Sequence, residues 1–329
     1  MMDFVTGGTG FVGAHVVRAL LRRGRTVRCL VRPSSRLSNL EELPVALVAG
    51  DVTDPASLRR AMAGARTVYH CAADYRLSAR RPREIYAANV EGTRNVLAAA
   101  LEVGAQKVVY TSSVGALGLT RDGRPGDEGT PVELASLIGH YKKSKHQAER
   151  VAQEWAARGL PVVIVNPSTP VGEMDIKPTP TGQMIVDFLN RRMPAYVETG
   201  LNLVDVRDVA EGHVLAEEKG RAGERYILGN RDMTLKEIFD ALSKLTGIPS
   251  PRVRLPHWVP LAAAAVSTLA SKLTARPPRV PLEGVRMSRH RMYFDASKAV
   301  RELDLPQTPV EEALARAVAW FREKGYVHN

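Results

Sequence analysis

Three side chains in the middle of the sequence have the types and spacing of a proton-transfer site: Ser113, Tyr141 and Lys145. Of the nine tyrosines in the chain, only Tyr141, in the stretch GHYKKSKHQAE, has a lysine four residues further on. Residues four apart lie on the same side of a helix. A phenol has a pKa of about 10 and is a poor acid or base at neutral pH, but a nearby ammonium stabilises its phenolate. The pair therefore has the chemistry of a general acid and base.

Ser113 comes from the stretch VVYTSSVGAL, which reads as a strand ending at Ser112. Such a strand would deliver Ser112 and Ser113 to the carboxyl edge of a parallel sheet, where open α/β folds bind ligands. We expect Ser113 to hold a substrate oxygen and Tyr141 to move its proton while hydride travels to or from a nicotinamide. Lys145 would support the phenolate and hydrogen-bond the nicotinamide ribose. The neighbouring lysines, Lys142 and Lys143, are predicted to be solvated helix residues.

A glycine-rich turn near the start predicts the cofactor site. The stretch VTGGTGFVGAHVV places Gly7, Gly10 and Gly13 three residues apart, between a strand and a helix that begins near Phe11. The first glycine permits a tight turn, the second lets backbone N–H groups approach a pyrophosphate, and the third allows close packing of helix on strand. The strand–turn–helix context favours dinucleotide binding over an incidental glycine-rich turn.

The residue after the second strand indicates which dinucleotide is bound. An acidic residue there would bind the ribose 2′-OH of NAD, but the stretch CLVRPSS has Arg32, nineteen residues after Gly13. A guanidinium suits a 2′-phosphate, and Ser34 and Ser35 could add donors, so NADP is favoured over NAD. The alternative is that Arg32 is a solvated loop residue and the site is indifferent. In GDVTD, a contact of Asp51 and Val52 with the adenine and a plain loop cap remain equally open.

The elements that position these residues alternate between strand and helix. The clearest helices are 11–23 and 84–103, and this βαβ rhythm predicts right-handed crossovers and a parallel sheet covered on both faces. The fold class is therefore α/β, a Rossmann-type doubly wound sheet over residues 1–166, with a smaller, discontinuous substrate lobe over 167–329. Some segments of that lobe, about 201–220, are expected to return to the first domain. The predicted strands are Met2–Thr6, Thr26–Val31, Val45–Ala49, Thr67–Cys71, Lys107–Ser112 and Pro161–Asn166.

Composition narrows the partners and the compartment. The 329 residues carry a net charge of +11, which favours anionic partners such as phosphorylated cofactors. No nucleic-acid-binding module accompanies this charge, so no nucleic acid is expected. Cys29 and Cys71 lie in apolar runs without metal-ligand spacing, which predicts two buried thiols, no disulfide and no metal site. The N-terminus shows no secretory signal, and the expected location is cytoplasmic.

The motifs together carry a family resemblance. TGGTGFVG, the TSS strand end and YKKSK resemble the extended short-chain dehydrogenase/reductase superfamily over essentially the full length. Within it, HCAADYRL, YAANVEGTRNVL, VNPSTPVGEMDIKPTPTG and MYFDASKAVREL are similar to the hopanoid-associated sugar epimerases, relatives of dihydroflavonol reductases. That resemblance implies a Rossmann domain, a Ser–Tyr–Lys triad, a small-molecule substrate that is sugar- or hopanoid-linked, and a role in hopanoid metabolism. Homodimerisation through 84–103 and 136–157 is common in that superfamily.

The resemblance also assigns cofactor contacts beyond the glycine turn. It implies that Ala72 and Ala73 line the cofactor, that Asn89 supports the strand ends, and that Pro167 and Ser168 pass beside the nicotinamide. The whole set expected to bind the cofactor is Gly7, Thr9, Gly10, Phe11, Val12, Gly13, Arg32, Ser35, Asp51, Val52, Ala72, Ala73, Asn89, Thr111, Ser112, Tyr141, Lys145, Pro167 and Ser168.

Two features leave the reaction open. An epimerase oxidises and re-reduces one carbon without releasing cofactor, which goes with tightly held NAD, whereas Arg32 favours NADP, the usual reagent for net reduction. The stretch NPSTPVG also resembles the reductases more than the nucleotide-sugar epimerases. The candidates are thus a sugar epimerase, a dihydroflavonol-reductase-like NADPH-dependent ketone reductase, and a non-catalytic NADP-sensing protein.

Three further segments have structural or membrane interpretations. Asp208, in VDVRDVAEGH, is expected to cap a helix. The segment that begins at Trp258 is too short to cross a membrane, yet its flanking Arg252, Arg254, Lys272 and Arg276 permit an interfacial helix on anionic lipid. The alternative is a helix packed over the substrate cleft. The basic run RMSRHRMYF could meet a substrate phosphate or form a solvated, ion-paired face.

Overall fold

The protein is described by a computed structural model that covers residues 2–76, 81–120, 122–274 and 282–328. Its strands are β1 (Met2–Thr6), β2 (Thr26–Val31), β3 (Ala46–Ala49), β4 (Ala65–His70), β5 (Lys107–Thr111), β6 (Val162–Pro167), β7 (Thr169–Val171), β8 (Ala195–Tyr196), β9 (Gly200–Asp205), β10 (Arg225–Leu228), β11 (Arg231–Thr234), β12 (Val253–Arg254) and β13 (Arg291–Met292). Its α-helices are α1 (Phe11–Arg22), α2 (Pro55–Met62), α3 (Pro82–Tyr86), α4 (Gly92–Glu102), α5 (Gly139–Ala157), α6 (Pro180–Leu189), α7 (Val206–Lys219), α8 (Leu235–Thr246), α9 (Trp258–Thr274), α10 (Leu282–Met287), α11 (Ser297–Leu303) and α12 (Val310–Glu323).

A seven-stranded parallel sheet forms the centre of the molecule, in the strand order β10-β6-β5-β4-β1-β2-β3. The chain moves outward from β1 to β2 and β3, then returns to the other side of β1 with β4. This reversal is the switch point at which open α/β sheets bind their ligands. The carboxyl ends of β1 and β4, at Thr6 and His70, therefore border the expected cofactor crevice.

Both faces of this sheet are covered by helices. Alternate residues of the strands point to opposite faces, so Val5 and Tyr69 face α1 and α7, whereas Phe4 and Val68 face α2, α4 and α5. All four side chains are fully buried. Strand β6 is buried at every residue, as expected for a central strand covered on both sides. The predicted Rossmann-type α/β fold class is confirmed.

The second half of the chain builds a smaller sheet with its own core. Strand β9 pairs with β7, β11 and β13, and helices α6, α8 and α12 cover it. Helix α8 begins with a capping box between Thr234 and Glu237 and ends at Gly247, whose φ of 73° lies in the left-handed region. Phe188 of α6 stacks on Phe239 of α8, with ring centroids 5.6 Å apart, so side-chain packing joins the helices.

Most predicted element boundaries agree with the structure to within two residues, and the helix predicted over 84–103 is present but contains a π-helical turn. Helix α3 passes into a π-helical turn at Ala87–Glu91 before α4 begins. Such turns insert an extra residue and occur often at functional sites. The insertion accompanies Asn89, whose side chain bonds to residues outside the helix, a contact that hydrophobic periodicity does not register.

The prediction that Asp208 caps a helix is wrong by one turn. Asp205 is the N-cap of α7, and its carboxylate accepts a hydrogen bond of 2.8 Å from the backbone N–H of Arg207. Asp208 lies in the first turn, and its carboxylate instead accepts from the backbone N–H and the hydroxyl of Thr308, at 2.7 and 2.8 Å. Both aspartates suit a helix N-terminus, but only Asp205 has the extended backbone of an N-cap, because α7 begins at Val206 and Asp208 already lies inside it.

The basic segments near the C-terminus are partly ion-paired. Arg291 and Arg254 both contact Glu198, at 2.8 and 2.6 Å, while Arg286 and Arg289 are exposed. The Arg276 flank of the predicted interfacial helix lies outside the described residues. None of the helices that the structure describes is both long and apolar enough to span a membrane.

Candidate active site

The structure brings Ser113, Tyr141 and Lys145 together at the carboxyl edge of the central sheet. Ser113 follows β5, Tyr141 lies in the first turn of α5, and Lys145 lies one turn further along. The hydroxyl of Ser113 forms a hydrogen bond with Tyr141. The ammonium of Lys145 is 2% exposed and donates to the carbonyl of Thr111 at 2.7 Å and the hydroxyl of Tyr110 at 3.2 Å. Two elements far apart in sequence thus converge on one small volume.

Burial dominates the protonation equilibria of the triad. Burial raises the pKa of Tyr141 above its ordinary value, and the hydrogen bond from Ser113 offsets part of this rise. Burial lowers the pKa of Lys145 to about 8, which the charge of Glu149 partly opposes. In this structure the Lys145 ammonium faces Thr111 and Tyr110, so direct support of the Tyr141 phenolate by Lys145 stays a prediction.

A buried polar network that the sequence did not reveal holds the ends of β5 and β6 in place. Glu149, buried on α5, accepts from the hydroxyl of Ser112 and, at 2.7 Å, from the side-chain amide of Asn166. The same amide donates to the carbonyl of Ser113 at 3.1 Å, and Arg225 of β10 pairs with Glu149 at 3.2 Å. Glu149 lies four residues after Lys145, and this helical spacing is the feature of the sequence that could have identified it. The Ser112 side chain is therefore directed into the protein.

Asn89 fastens the loop after β4 to α5. Its side-chain oxygen accepts from the backbone N–H of Asp74 at 2.7 Å, and its NH₂ group donates to the Asp74 carbonyl and to the hydroxyl of Ser144, both at 2.9 Å. These three bonds use the whole hydrogen-bonding capacity of a buried amide except one acceptor lone pair. Asn89 thus joins the loop after β4 to α5, and its support of the active-site strand ends stays a prediction.

The glycine turn has the close approaches that a pyrophosphate cradle requires. Gly7 has a φ of 72°, and a Cβ there would lie 2.6 Å from the backbone nitrogen of Ala72. A Cβ on Gly13 would lie 2.1 Å from the carbonyl oxygen of Gly7, so no side chain fits there. Gly10 is the N-cap of α1 and offers no side-chain cap, which leaves the first N–H groups of the helix, from Phe11 and Val12 onward, available to an anion.

The remaining predicted cofactor contacts have differing surroundings in the structure, and their contact with a cofactor stays a prediction. Arg32 is exposed and its backbone N–H donates to the Ser35 hydroxyl at 3.1 Å; within the described ranges its guanidinium makes no ion pair. The Asp51 carboxylate already accepts from the backbone and the hydroxyl of Thr53. Ala73 is exposed at the end of β4. Thr9 lies in the glycine turn before α1, Val52 lies after β3, and Thr111 and Pro167 are the last residues of β5 and β6.

Ser168 gives an independent observation in favour of a ligand at this edge. Its hydroxyl is buried and has no hydrogen-bond partner among the described residues. A buried hydroxyl without a partner is costly, which indicates that a bound group completes its bonding. Together with the glycine cradle, the unpartnered hydroxyl of Ser168 indicates that the residues present fit a dinucleotide lying across the switch point.

Two buried histidines brace the crevice and were not foreseen. His70 hydrogen-bonds Thr6 at 2.7 Å and Thr93 at 3.0 Å, and burial lowers its pKa to about 3. His213 of α7 bonds the hydroxyl of Thr111 at 2.8 Å, and burial lowers its pKa to about 4. Both stay neutral at physiological pH, so they act as positioning groups for strand ends and carry no charge.

The cysteines agree in part with expectation. Cys29 is buried and Cys71 half-buried, and both are free thiols whose pKa burial raises, to about 12 and about 11. In the part of the chain that the structure describes, no three His, Cys, Asp or Glu side chains assemble as a metal site requires.

The prediction that Lys142 is a solvated residue is wrong. Its side chain is half-buried, and its ammonium lies 3.4 Å from the sulfur of Met292. Burial lowers the pKa of Lys142 to about 8. Met292 lies in β13 of the second sheet, which packs against the first turn of α5. This contact is long-range, so the local sequence KKSK does not predict it.

The fold and the site define an extended short-chain dehydrogenase/reductase: a glycine cradle at the switch point and a Ser–Tyr–Lys set at the carboxyl edge of one sheet. The profile of the NAD dependent epimerase/dehydratase family matches residues 4–229, and the chain belongs to this family of enzymes.

Named relatives span reductases and epimerases. A protein of Synechocystis sp. provisionally named dihydroflavonol 4-reductase is 51% identical over 98% of this chain and 95% of its own length. Sterol demethylase protein B of Methylococcus capsulatus is 37% identical over 99% and 100%. The crystal structure of a nucleoside-diphosphate-sugar epimerase from Pseudomonas aeruginosa is 30% identical, with a TM-score of 0.83 over 100% of this chain and 99% of that one.

Proposed function

We propose that the protein transfers hydride between NADP and a secondary alcohol or ketone, with Tyr141 as acid and base. The observation that carries this proposal is the convergence of Ser113, Tyr141 and Lys145 on the sheet edge that also holds the glycine cradle. If Tyr141 had only a structural role, it would not require a buried lysine and a strand-end serine beside it.

The roles of the chain's own residues follow from the geometry. Ser113 orients the substrate oxygen through its hydroxyl, and Tyr141 gives or takes the proton of that oxygen through its Oη atom. Lys145, once its ammonium turns from the Thr111 carbonyl toward the ligand, lowers the free energy needed to form the Tyr141 phenolate. The bound nicotinamide supplies or accepts the hydride.

The mechanism predicts that Tyr141→Phe abolishes turnover and leaves NADPH binding intact. General acid–base groups contribute about 10²–10⁴-fold to a rate, so kcat should fall by at least that factor. The measurements are steady-state absorbance of NADPH with a panel of sugar, flavonoid-like and steroid-like ketones, and fluorescence titration of NADPH. Tyr86→Phe, on the neighbouring helix α3, is the matched control. Undiminished turnover in Tyr141→Phe would exclude the mechanism.

NADP preference is proposed from Arg32, whose exposed guanidinium makes no ion pair in the described ranges and is free for a 2′-phosphate. Charge-assisted hydrogen bonds are worth about 1.5–3 kcal/mol, so Arg32→Ala should raise the KM for NADPH by about tenfold or more and leave that for NADH nearly unchanged. Arg60→Ala, an exposed arginine of α2, is the control. Equal effects of Arg32→Ala on both cofactors would show that the site does not read the 2′-phosphate.

The substrate class proposed is a fused-ring lipid alcohol or ketone, in keeping with hopanoid metabolism. A relative named for sterol demethylation, which matches over 99% of this chain and 100% of its own length, supports this class. Net reduction would consume one NADPH per product in the ketone panel. Product formation without NADPH consumption would instead establish the epimerase candidate, and tight NADPH binding without turnover of any compound would favour the cofactor sensor.

A further inference from the structure

Lys142 is the residue next to the proposed proton donor, and its surroundings are unusual for a lysine. Its ammonium contacts the thioether sulfur of Met292 at 3.4 Å. Its stem runs over Gly115, since a Cβ on that glycine would lie 3.4 Å from the Lys142 Cγ atom. The backbone N–H of Gly115 in turn donates to the Ser113 hydroxyl at 3.0 Å. Lys142 and Ser113 therefore flank the same glycine on the substrate side of the site.

The environment of the ammonium is apolar and lacks a counter-ion. Met292 packs against a buried apolar cluster that includes Val114, Leu117 and Phe294. Among the described residues no carboxylate interacts with Lys142. The other two lysines of the same motif differ, because Lys143 lies near Glu283 and Lys145 near Glu149.

A half-buried cation without a partner is costly unless a ligand supplies the opposite charge. A thioether is a weak acceptor and does not offset the lost hydration of an ammonium. The pKa of Lys142, lowered to about 8, still leaves the group protonated at neutral pH. A group that is charged, unpaired and next to the reacting centre has the properties of an anion-binding residue.

We propose that Lys142 binds an oxyanionic group of the substrate, a carboxylate or a phosphate, within one lysine side-chain length of the carbon that exchanges hydride. This assignment rests on the proposed function for the location of the reacting carbon. It makes the substrate an acidic alcohol or ketone and assigns Lys142 a role in specificity, while Tyr141 and Ser113 handle the reacting oxygen.

The first test measures binding to the NADP-loaded protein by calorimetric titration. The probes are 3-hydroxycyclohexane-1-carboxylate, 3-hydroxycyclohexyl phosphate and, as the uncharged comparison, the methyl ester of the carboxylate. Lys142→Met should weaken the anions by about tenfold or more and leave the ester unchanged, since a charged hydrogen bond is lost. Lys142→Arg should retain the anions, and Lys143→Met is the matched control. The anion that binds more tightly to the wild type identifies carboxylate or phosphate as the source.

The second test does not depend on turnover. An amine-reactive ester acylates accessible lysines, and peptide mass spectrometry gives the rate at Lys142. The anionic probes should slow acylation of Lys142 several-fold and that of Lys143 not at all, while the methyl ester should protect neither.

Failure of this assignment is distinguishable from failure of the proposed function. Both tests are repeated in Tyr141→Phe, in which turnover is expected to be lost and anion binding retained. Absence of protection of Lys142 by either anion, or equal affinity of Lys142→Met and wild type for all three probes, would overturn the role of Lys142. Oxidation of the carboxylate probe with unchanged kinetics in Lys142→Met would overturn the role of Lys142 and leave the Tyr141 mechanism standing.

Discussion

The three lysines of YKKSK show how one short motif divides into different roles. Lys145 is almost fully buried and bonds the Thr111 carbonyl, whereas Lys142 is half-buried against the sulfur of Met292. Burial lowers the pKa of both to about 8. Lys143, between them, is the residue that faces Glu283. The spacing predicted the helix face on which Lys145 lies, because residues four apart share a face, but the environment of Lys142 depends on β13.

A pH dependence of stability follows from these two lysines. Their folded pKa of about 8 lies below the ordinary 10.5, so between these values the unfolded chain binds more protons and stability rises with pH. Below pH 8 both lysines are protonated in the folded and in the unfolded state, so the full free-energy cost of burying their charges is present. Lys142→Met should therefore be more stable than the wild type at pH 7, and the difference should shrink toward pH 10. Urea unfolding from pH 7 to pH 10 measures this, with Lys143→Met as control. Parallel pH profiles for Lys142→Met and wild type would contradict it.

At the scale of elements, the interrupted helix from α3 to α4 connects the cofactor crevice with α5. The π-helical turn at Ala87–Glu91 presents Asn89, which is 2% exposed, to the loop after β4 and to Ser144. The loop that it fastens carries Ala72 and Ala73. A regular α-helix would satisfy the hydrophobic pattern equally well, so the polar contacts of Asn89 explain the π-helical turn.

Asn89→Ala should lower the free energy of unfolding by about 1–3 kcal/mol, since it strands a buried N–H and carbonyl of Asp74. It should also raise the KM for NADPH, because the Ala72 loop loses its anchor. Asn190→Ala is a matched control: its amide also makes three hydrogen bonds, to Val186, Tyr326 and His328, far from the sheet edge. The control should lose stability alone. A wild-type KM in Asn89→Ala would refute a positioning role.

At the scale of the whole molecule, late segments of the chain complete the first sheet. Helix α7 packs against α1, and β10 forms the edge beyond β6, so residues after the second lobe has begun contribute to the nucleotide-binding core. Glu217 of α7 ties this return to the sheet through Arg25 and Arg66, at 2.9 and 3.0 Å. The division at residue 166 and a homodimer through α4 and α5 stay predictions.

The surface near α9 bears on membrane contact. Trp258 is 68% exposed and Val253 57%, beside the exposed Arg252. Apolar and basic groups at one surface favour anionic lipid interfaces. We predict that the protein sediments with anionic liposomes and that Trp258→Ala reduces the bound fraction several-fold. Leu101→Ala, an exposed apolar residue of α4, serves as control, with neutral liposomes as a second one. Equal binding of wild type and Trp258→Ala would exclude contact through this helix.

The sequence by itself determined the parts that depend on local spacing. Gly7 and Gly13 specify a turn because only glycine allows those backbone approaches, and Tyr141 and Lys145 share a face because helix periodicity is fixed. Tertiary structure decided what depends on distant partners: Thr308 bonds the Asp208 carboxylate, Asp74 and Ser144 bond Asn89 at the π-helical turn, and Met292 contacts Lys142. Burial and charge pairing arise from contacts between segments remote in sequence, so no local pattern could assign them.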